Sequence, residues 1–212
     1  MGYISSHTAF ALLALWFWGS VLPALAQTRY VAVEESRLWI EGRSNINRFE
    51  CSANSYDLGA LLYELVGADD PATISKDQVS VDIRVFVDGF SCGKKRMDRD
   101  LRKALKAEQF SAIHFAFLRA ERMPKSTRDD GARRLRTEGD LTIAGVTKKI
   151  EFDVHGYRLA DGRVRVRGFT SVQMTDYGLE PPTRFFGLVK VQDELEVRFD
   201  LLLHPQELAE ER

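Results

Sequence analysis

The stretch VSVDIRVFVDG, residues 79–89, alternates apolar and polar side chains with a period of two. A β-strand points successive side chains to opposite faces of its sheet, so this period predicts a half-buried strand. Phe86 is the single break in the pattern. The apolar face of the predicted strand consists of Val79, Val81, Ile83, Val85 and Val87.

The same alternation recurs on both sides of this strand. It is found in SRLWIEGRSNINRFEC (36–51), AIHFAF (112–117), RLRTEGDLTIAG (134–145), KKIEFDVHGY (148–157), GRVRVRGF (162–169) and DELEVRFDLLL (193–203). Short turns containing Gly145 and Asp161-Gly162 can join antiparallel neighbours, because Gly and Asp tolerate positive φ. About eight strands with tight turns predict one all-β domain, either a closed barrel or a sandwich.

One segment has the period of a helix instead. In MDRDLRKALKAE, residues 97–108, the apolar residues Met97, Leu101 and Leu105 recur at intervals of four. Acidic residues come early and lysines late, which complements the helix dipole. Residues 58–76 contain an apolar run without a clear period, and residues 124–134 have the composition of a solvated loop.

Composition and charge exclude several functions. The 212 residues include 30 Lys and Arg against 31 Asp and Glu, a net charge of -1, so no bulk attraction to nucleic acid is expected. The sequence lacks the HExxH and glycine-rich phosphate-loop motifs, and His114, His155 and His204 lack metal-ligand spacing. We therefore predict neither catalysis nor a metal site. Arg163, Arg165 and Arg167 form a basic stripe, interpreted as a solvated outer face or, alternatively, as a contact for an anionic headgroup.

Residues 1–26 differ from the rest of the chain, because they contain no Asp, Glu, Lys or Arg. The apolar run Ala9–Trp18 is too short to span a bilayer, and Ala24-Leu25-Ala26 matches a signal-peptidase site. We predict a cleaved signal peptide over 1–26, a single mature domain over 27–212, and a periplasmic or secreted location. An uncleaved N-terminal anchor is the alternative.

Export bears on the two cysteines. Cys51 and Cys92 are the only two in the sequence, and a disulfide persists in an oxidising compartment. The sequence therefore favours a Cys51–Cys92 bond over the alternative of two buried thiols. On the chain-entropy description, such a bond would stabilise the fold by roughly 4 kcal/mol.

Four segments, taken in order, are similar to one protein family. They are SRLWIEGRSNINRFEC (36–51), MDRDLRKALKAEQFSAIHFAF (97–117), GDLTIAGVTKKIEFDV (139–154) and MTDYGLEPPTRFFGLVKVQDELEVRFDLLL (174–203). Together they resemble the opening strand pair, helix-turn-strand signature, hairpin and closing region of the YceI-like family of lipid- or polyisoprenoid-binding proteins. Many members have proline before the second segment's strand, where this chain has Ser111-Ala112.

The resemblance implies a lipocalin-like antiparallel β-barrel of about eight strands with one short α-helix. It further implies a non-enzymatic, exported protein that holds a polyisoprenoid or isoprenoid-quinone lipid without a covalent cofactor. The alternative is a ligand-free envelope-stress or interaction module whose barrel is filled by its own side chains. Alternation and resemblance together predict that the ligand is lined by Leu38, Ile40, Val81, Ile83, Val85, Ile113, Phe115, Phe117, Phe152, Val197 and Phe199.

Overall fold

The computed structural model describes residues 27–63, 73–76, 78–124, 132–184 and 186–206. The predicted signal peptide, and the middle of both the 58–76 run and the 124–134 loop, lie outside these residues. The strands are β1 (Gln27–Ala32), β2 (Arg37–Ser44), β3 (Arg48–Ala53), β4 (Tyr56–Tyr63), β5 (Thr73–Ser75), β6 (Val79–Phe86), β7 (Phe90–Ser91), β8 (Ala112–Arg122), β9 (Arg133–Ile143), β10 (Val146–Arg158), β11 (Val164–Gln173), β12 (Thr183–Arg184) and β13 (Val189–Gln206). The one α-helix of the described residues, α1, spans Lys95–Ala104.

The strands close into an antiparallel barrel, which confirms the predicted fold class. The hydrogen-bonded order β1-β4-β6-β8-β9-β10-β11-β13 returns to its start because β13 also pairs with β1, giving eight strands around the barrel. The last strand is 18 residues long and pairs with β11 along one edge. Along its other edge it pairs first with β2 and then with β1.

Local sequence explains the tight connections. The two-residue loop between β9 and β10 consists of Ala144 and Gly145, whose φ angles are 48° and 79°. Positive φ at both positions is the conformation whose twist suits a β-hairpin.

The helix predicted over 97–108 begins earlier in the structure, at Lys95, and ends earlier, at Ala104. It ends there because Lys106 takes a φ of 54°, which interrupts the right-handed helix.

Apolar side chains inside the barrel form two clusters. The larger one contains buried residues of β2, β3, β6, β9 and β13 and is capped by Leu105, by Leu179 and by the 3-10 turn Met174–Tyr177. The smaller one joins Tyr30, Ala60, Leu201 and Leu203 at the other end. We call the end of the barrel that contains α1 and the 3-10 turn the capped end. The opposite end of the barrel is called the open-loop end.

The Cys51–Cys92 disulfide predicted from the sequence is present. It links β3 to the segment between β7 and α1, and Cys51 is buried in the larger cluster. The neighbouring β3–β7 ladder has only two residue pairs, Ser52 with Ser91 and Ala53 with Phe90. A covalent bond therefore reinforces a short backbone pairing at the capped end.

Replacing both cysteines by alanine should lower the free energy of unfolding by about 4 kcal/mol, because the bond closes a loop with a sequence separation of 41. Denaturant unfolding of the wild type and the double variant measures the difference. Titration of thiols in denatured, non-reduced wild type should find none. Two free thiols, or equal unfolding midpoints, would contradict the prediction.

Candidate ligand-binding interior

Strand register places all the predicted ligand-lining residues on the inner face of the barrel. Ile83 of β6 lies between Leu58 of β4 and Phe115 of β8. The same alternating face continues around the wall, where Val197 pairs with Ile40 and Phe199 with Leu38. These positions agree with the period-two pattern, and the role of the residues in lining a ligand stays a prediction.

Burial divides these residues into two groups. Leu38, Ile40 and Val85 are buried within the larger cluster, as a packed core requires. The others are only half-buried, although they point into a closed barrel: Val81, Ile83, Ile113, Phe115, Phe117, Phe152, Val197 and Phe199. Inward apolar side chains that keep accessible surface indicate that space remains inside the barrel between its packed ends.

Three phenylalanine rings form a line across this interior. The ring centroids of Phe115 and Phe152 are 5.6 Å apart, and those of Phe152 and Phe199 are 5.9 Å apart. Both pairs meet edge to face, with interplanar angles of 61° and 81°. Such geometry is favourable for aromatic pairs and holds the rings in defined positions.

Two glycines allow the rings to lie against the wall. A Cβ atom at Gly168 would lie 2.5 Å from Cζ of Phe199 and 2.9 Å from the backbone oxygen of Asp153. A Cβ at Gly139 would meet the ring of Phe115 and lie 2.8 Å from the backbone oxygen of Ala116. The missing side chains leave room for the rings beside the backbone, so the rings occupy less of the barrel centre.

The barrel wall has a lateral opening between β10 and β11. These strands pair only from Val154–Gly168 to Arg158–Val164. Within the described residues, the 146–153 part of β10 pairs only with β9, and the 169–173 part of β11 only with β13. An open groove of about 910 Å³ lies here; outer-face residues line most of it, and the inner-face residues Phe152, Gly168, Thr170 and Phe199 line the rest.

Paired charges and aromatic side chains surround the opening on the outer face. Arg165 donates two hydrogen bonds to Asp200, at 2.7 and 2.6 Å, and Arg167 donates a third at 3.0 Å. The hydrogen bonds from Arg165 lower the pKa of Asp200 against the opposing effect of burial. Arg136 contacts Glu151 and Asp153 at 3.3 and 3.1 Å.

The basic stripe therefore lies on the outer face, and each of its three arginines is paired with a carboxylate. Arg163, the third member, donates a hydrogen bond to Asp161 at 2.7 Å.

The sequence did not reveal the opening, because the outer residues Trp39 and Phe169 that line it have no distinctive pattern in the chain.

The three histidines among the described residues, His114, His155 and His204, lie on three different strands. His114 is on the outer face, 3.4 Å from Asp82 and 3.3 Å from Arg84. In the part of the chain that the structure describes, no group of three or more His, Cys, Asp or Glu side chains is arranged to hold a metal ion. No helix among the described residues is long and apolar enough to cross a membrane.

A closed antiparallel barrel with a short helix and an apolar interior defines a lipocalin-like protein. The YceI-like domain matches residues 51–203, and the chain belongs to the YceI-like family. No curated protein matches the sequence significantly.

Solved structures show the same fold at low sequence identity. BcnA of Burkholderia cenocepacia is 14% identical with a TM-score of 0.63, covering 81% of this chain and 98% of that one. A polyisoprenoid binding domain from Saccharophagus degradans, implicated in plant cell wall breakdown, is 14% identical with a TM-score of 0.58, covering 86% and 100%. The Campylobacter jejuni YceI protein is 18% identical with a TM-score of 0.54, covering 77% and 88%.

Gly168→Ala should destabilise the protein by about 1–3 kcal/mol, because the new methyl group collides with Phe199 and with backbone that cannot move aside. Gly156→Ala is the matched control on the adjacent strand, where the nearest atom would be Arg133 O at 3.9 Å. Denaturant unfolding compares the two. Adding Phe199→Leu to Gly168→Ala should recover part of the loss, and equal midpoints for the two alanine variants would contradict this account.

Proposed function

We propose that the protein is an exported, non-enzymatic lipid-binding protein that holds a polyisoprenoid or isoprenoid-quinone chain in its barrel, as a carrier or store. The observation that carries this proposal is the half-burial of eight inward apolar side chains of the closed barrel. Two of them, Phe152 and Phe199, also line the lateral opening, where a lipid could enter.

The binding energy would come from removing the apolar chain from water. Each buried CH₂ group contributes about 0.8 kcal/mol, offset partly by the ordering of a flexible chain. The half-buried residues of the predicted lining are Val, Ile and Phe, whose side chains offer no polar group to a ligand. An unsubstituted prenyl chain suits such a surface, with its polar end at the lateral opening, beside solvent.

The comparisons agree with this class of ligand. The chain belongs to the YceI-like family, and one structure of the same fold is described as a polyisoprenoid binding domain. At 14% identity that structure supports the fold, so the ligand of this chain is our proposal.

The competing function is a ligand-free envelope-stress or interaction module with a filled barrel. Close packing of a filled core would bury nearly all inward apolar side chains, as it does Leu38, Ile40 and Val85. The half-buried state of Ile83, Phe152 and their neighbours favours a site with room for a ligand.

Organic extracts of the natively purified protein should contain a prenyl lipid or quinone by mass spectrometry. Ile83→Trp should abolish this co-purification with a smaller change in melting temperature than a buried position would show, because Ile83 is only half-buried on the inner face. Val85→Trp should instead destabilise the protein by about 1–3 kcal/mol, since Val85 is packed in the larger cluster.

Ser80→Trp is the matched control, because Ser80 is exposed on the outer face of the same strand. It should retain both lipid and stability. Wild type that yields no prenyl lipid and gains no stability from added ones would overturn the carrier proposal. Lipid that survives Ile83→Trp unchanged would show that the chain binds elsewhere.

Export gives a separate prediction. The uncharged N-terminal segment ends in Ala24-Leu25-Ala26, so protein recovered from the cell envelope should begin at Gln27. N-terminal sequencing or intact mass measures this. Replacing Ala24 and Ala26 with bulky residues should leave the precursor uncleaved, and intact Met1 on the wild-type protein would contradict the cleaved form.

A further inference from the structure

Three apolar side chains at the capped end are almost wholly exposed. Ile46, in the turn between β2 and β3, is 69% exposed, and Leu188, before β13, is 74% exposed. Phe186, two residues earlier, is 110% exposed, so the folded chain covers none of its ring. Exposed apolar side chains that are grouped at one place on a surface are typical of an interaction site. We call these three residues the apolar tip.

Hydrogen bonds link the two loops that carry the tip, which are the turn between β2 and β3 and the loop before β13. Asn45 donates from its backbone to Lys190 O at 3.1 Å and from its side chain to Leu188 O at 2.8 Å. Lys190 N–H in turn donates to the Asn45 side chain at 3.0 Å. The Ser44 hydroxyl accepts from the N–H groups of the same turn. The apolar side chains therefore project from one fixed site.

The backbone at Phe186 is held in an uncommon conformation. Its φ is 55°, in the left-handed region that large side chains disfavour, and Gly187 follows with a φ of 87°. A residue in this region points to a constraint that the rest of the structure maintains, and such positions are concentrated at functional sites.

Positive charge without a partner surrounds the tip. Arg43 lies directly opposite Arg48 across β2 and β3, an arrangement that like charges disfavour. Arg43, Arg48 and Lys190 are exposed, and none forms an ion pair within 4.0 Å among the described residues. The nearby Glu41 and Glu50 are already engaged by Arg198 and Arg37.

The residues around these cations carry both signs of charge. Glu194 and Glu196 share a shallow groove with Arg43 and Arg48, and Glu196 is paired with Arg198. Arg184, next to the loop of Phe186, contacts Asp100. Burial is the largest cause that lowers the pKa of Arg184, and the positive charges of Arg96 and Arg99 on α1 lower it further. These two helix cations therefore lie close enough to Arg184 to affect its charge.

We propose that the apolar tip docks the protein on a bilayer containing anionic lipid, with Ile46, Phe186 and Leu188 entering the interface and Arg43, Arg48 and Lys190 contacting headgroups. Apolar side chains beside exposed cations are the combination that an anionic membrane surface binds. Because the net charge of the whole chain is -1, attraction to such a surface would depend on these three exposed cations.

The docking proposal does not depend on the barrel holding a lipid. Ser171 lines both the lateral opening and the groove that contains Arg43 and Arg48, so the opening and the tip lie on one side of the barrel. If the proposed lipid binding is correct, docking would bring the opening towards the membrane.

Vesicle flotation with the mature protein tests the proposal. The protein should float with phosphatidylcholine vesicles containing phosphatidylglycerol, less at high salt, and weakly with phosphatidylcholine alone. Changing Ile46, Phe186 and Leu188 together to serine should reduce partitioning roughly tenfold or more without changing the melting temperature. Changing Arg43, Arg48 and Lys190 to glutamine should reduce it by about fivefold per charge.

The matched charge control changes Arg29, Lys76 and Arg158 to glutamine, since these exposed cations lie at the open-loop end. It should bind vesicles much as the wild type does. Phe186→Trp fluorescence should be quenched by brominated lipid beyond any quenching of the wild type. Equal loss of binding in both charge variants, or binding unchanged by the serine variant, would overturn the proposal. Self-association that the serine changes abolish, without vesicle binding, would identify the tip as a dimer contact and overturn it too.

Discussion

Backbone pairing of the last strand is the constraint on which the barrel depends. β13 pairs with β11 along one edge and with β2 and then β1 along the other, so Arg29 lies opposite Gln206. An open sheet of this length would expose two edges of unpaired N–H and C=O groups, and closure removes them. Once the ends meet, every inward side chain is fixed on the face that encloses the interior.

The same pairing explains both the space inside and the opening in the wall. β11 follows β13 as far as Gln173, and it separates from β10 beyond the Val154–Gly168 pair. The interior is packed at its two ends and less so between them, where Phe115, Phe152 and Phe199 lie in a line. Gly139 lies beside Phe115 and Gly168 lies beside Phe199. Because glycine has no side chain, each ring can lie close to the barrel wall and extends less far into the centre.

Charged side chains on the outer wall contribute less to stability than the buried core does. Glu138 accepts from Lys149 and Arg119, and the bond from Lys149 is the larger cause of the lowered pKa of that carboxyl group. Exposed ion pairs of this kind add little stability. Burial of the two clusters and the Cys51–Cys92 bond are the larger contributions.

The sequence by itself determined which side chains point inward, because a period of two assigns the face of each strand without knowledge of its partners. It also identified the helix, the hairpin at Ala144-Gly145 and the two bonded cysteines. It did not identify β4, since the apolar run from residue 58 has no period while β1 and β6 fix the strand from both sides. Only the tertiary structure distinguished Val85, which is buried, from Ile83, which is half-buried, because burial depends on neighbours distant in the chain. The lateral opening and the apolar tip were likewise decided by long-range pairing, which has no local signature in the order of the residues.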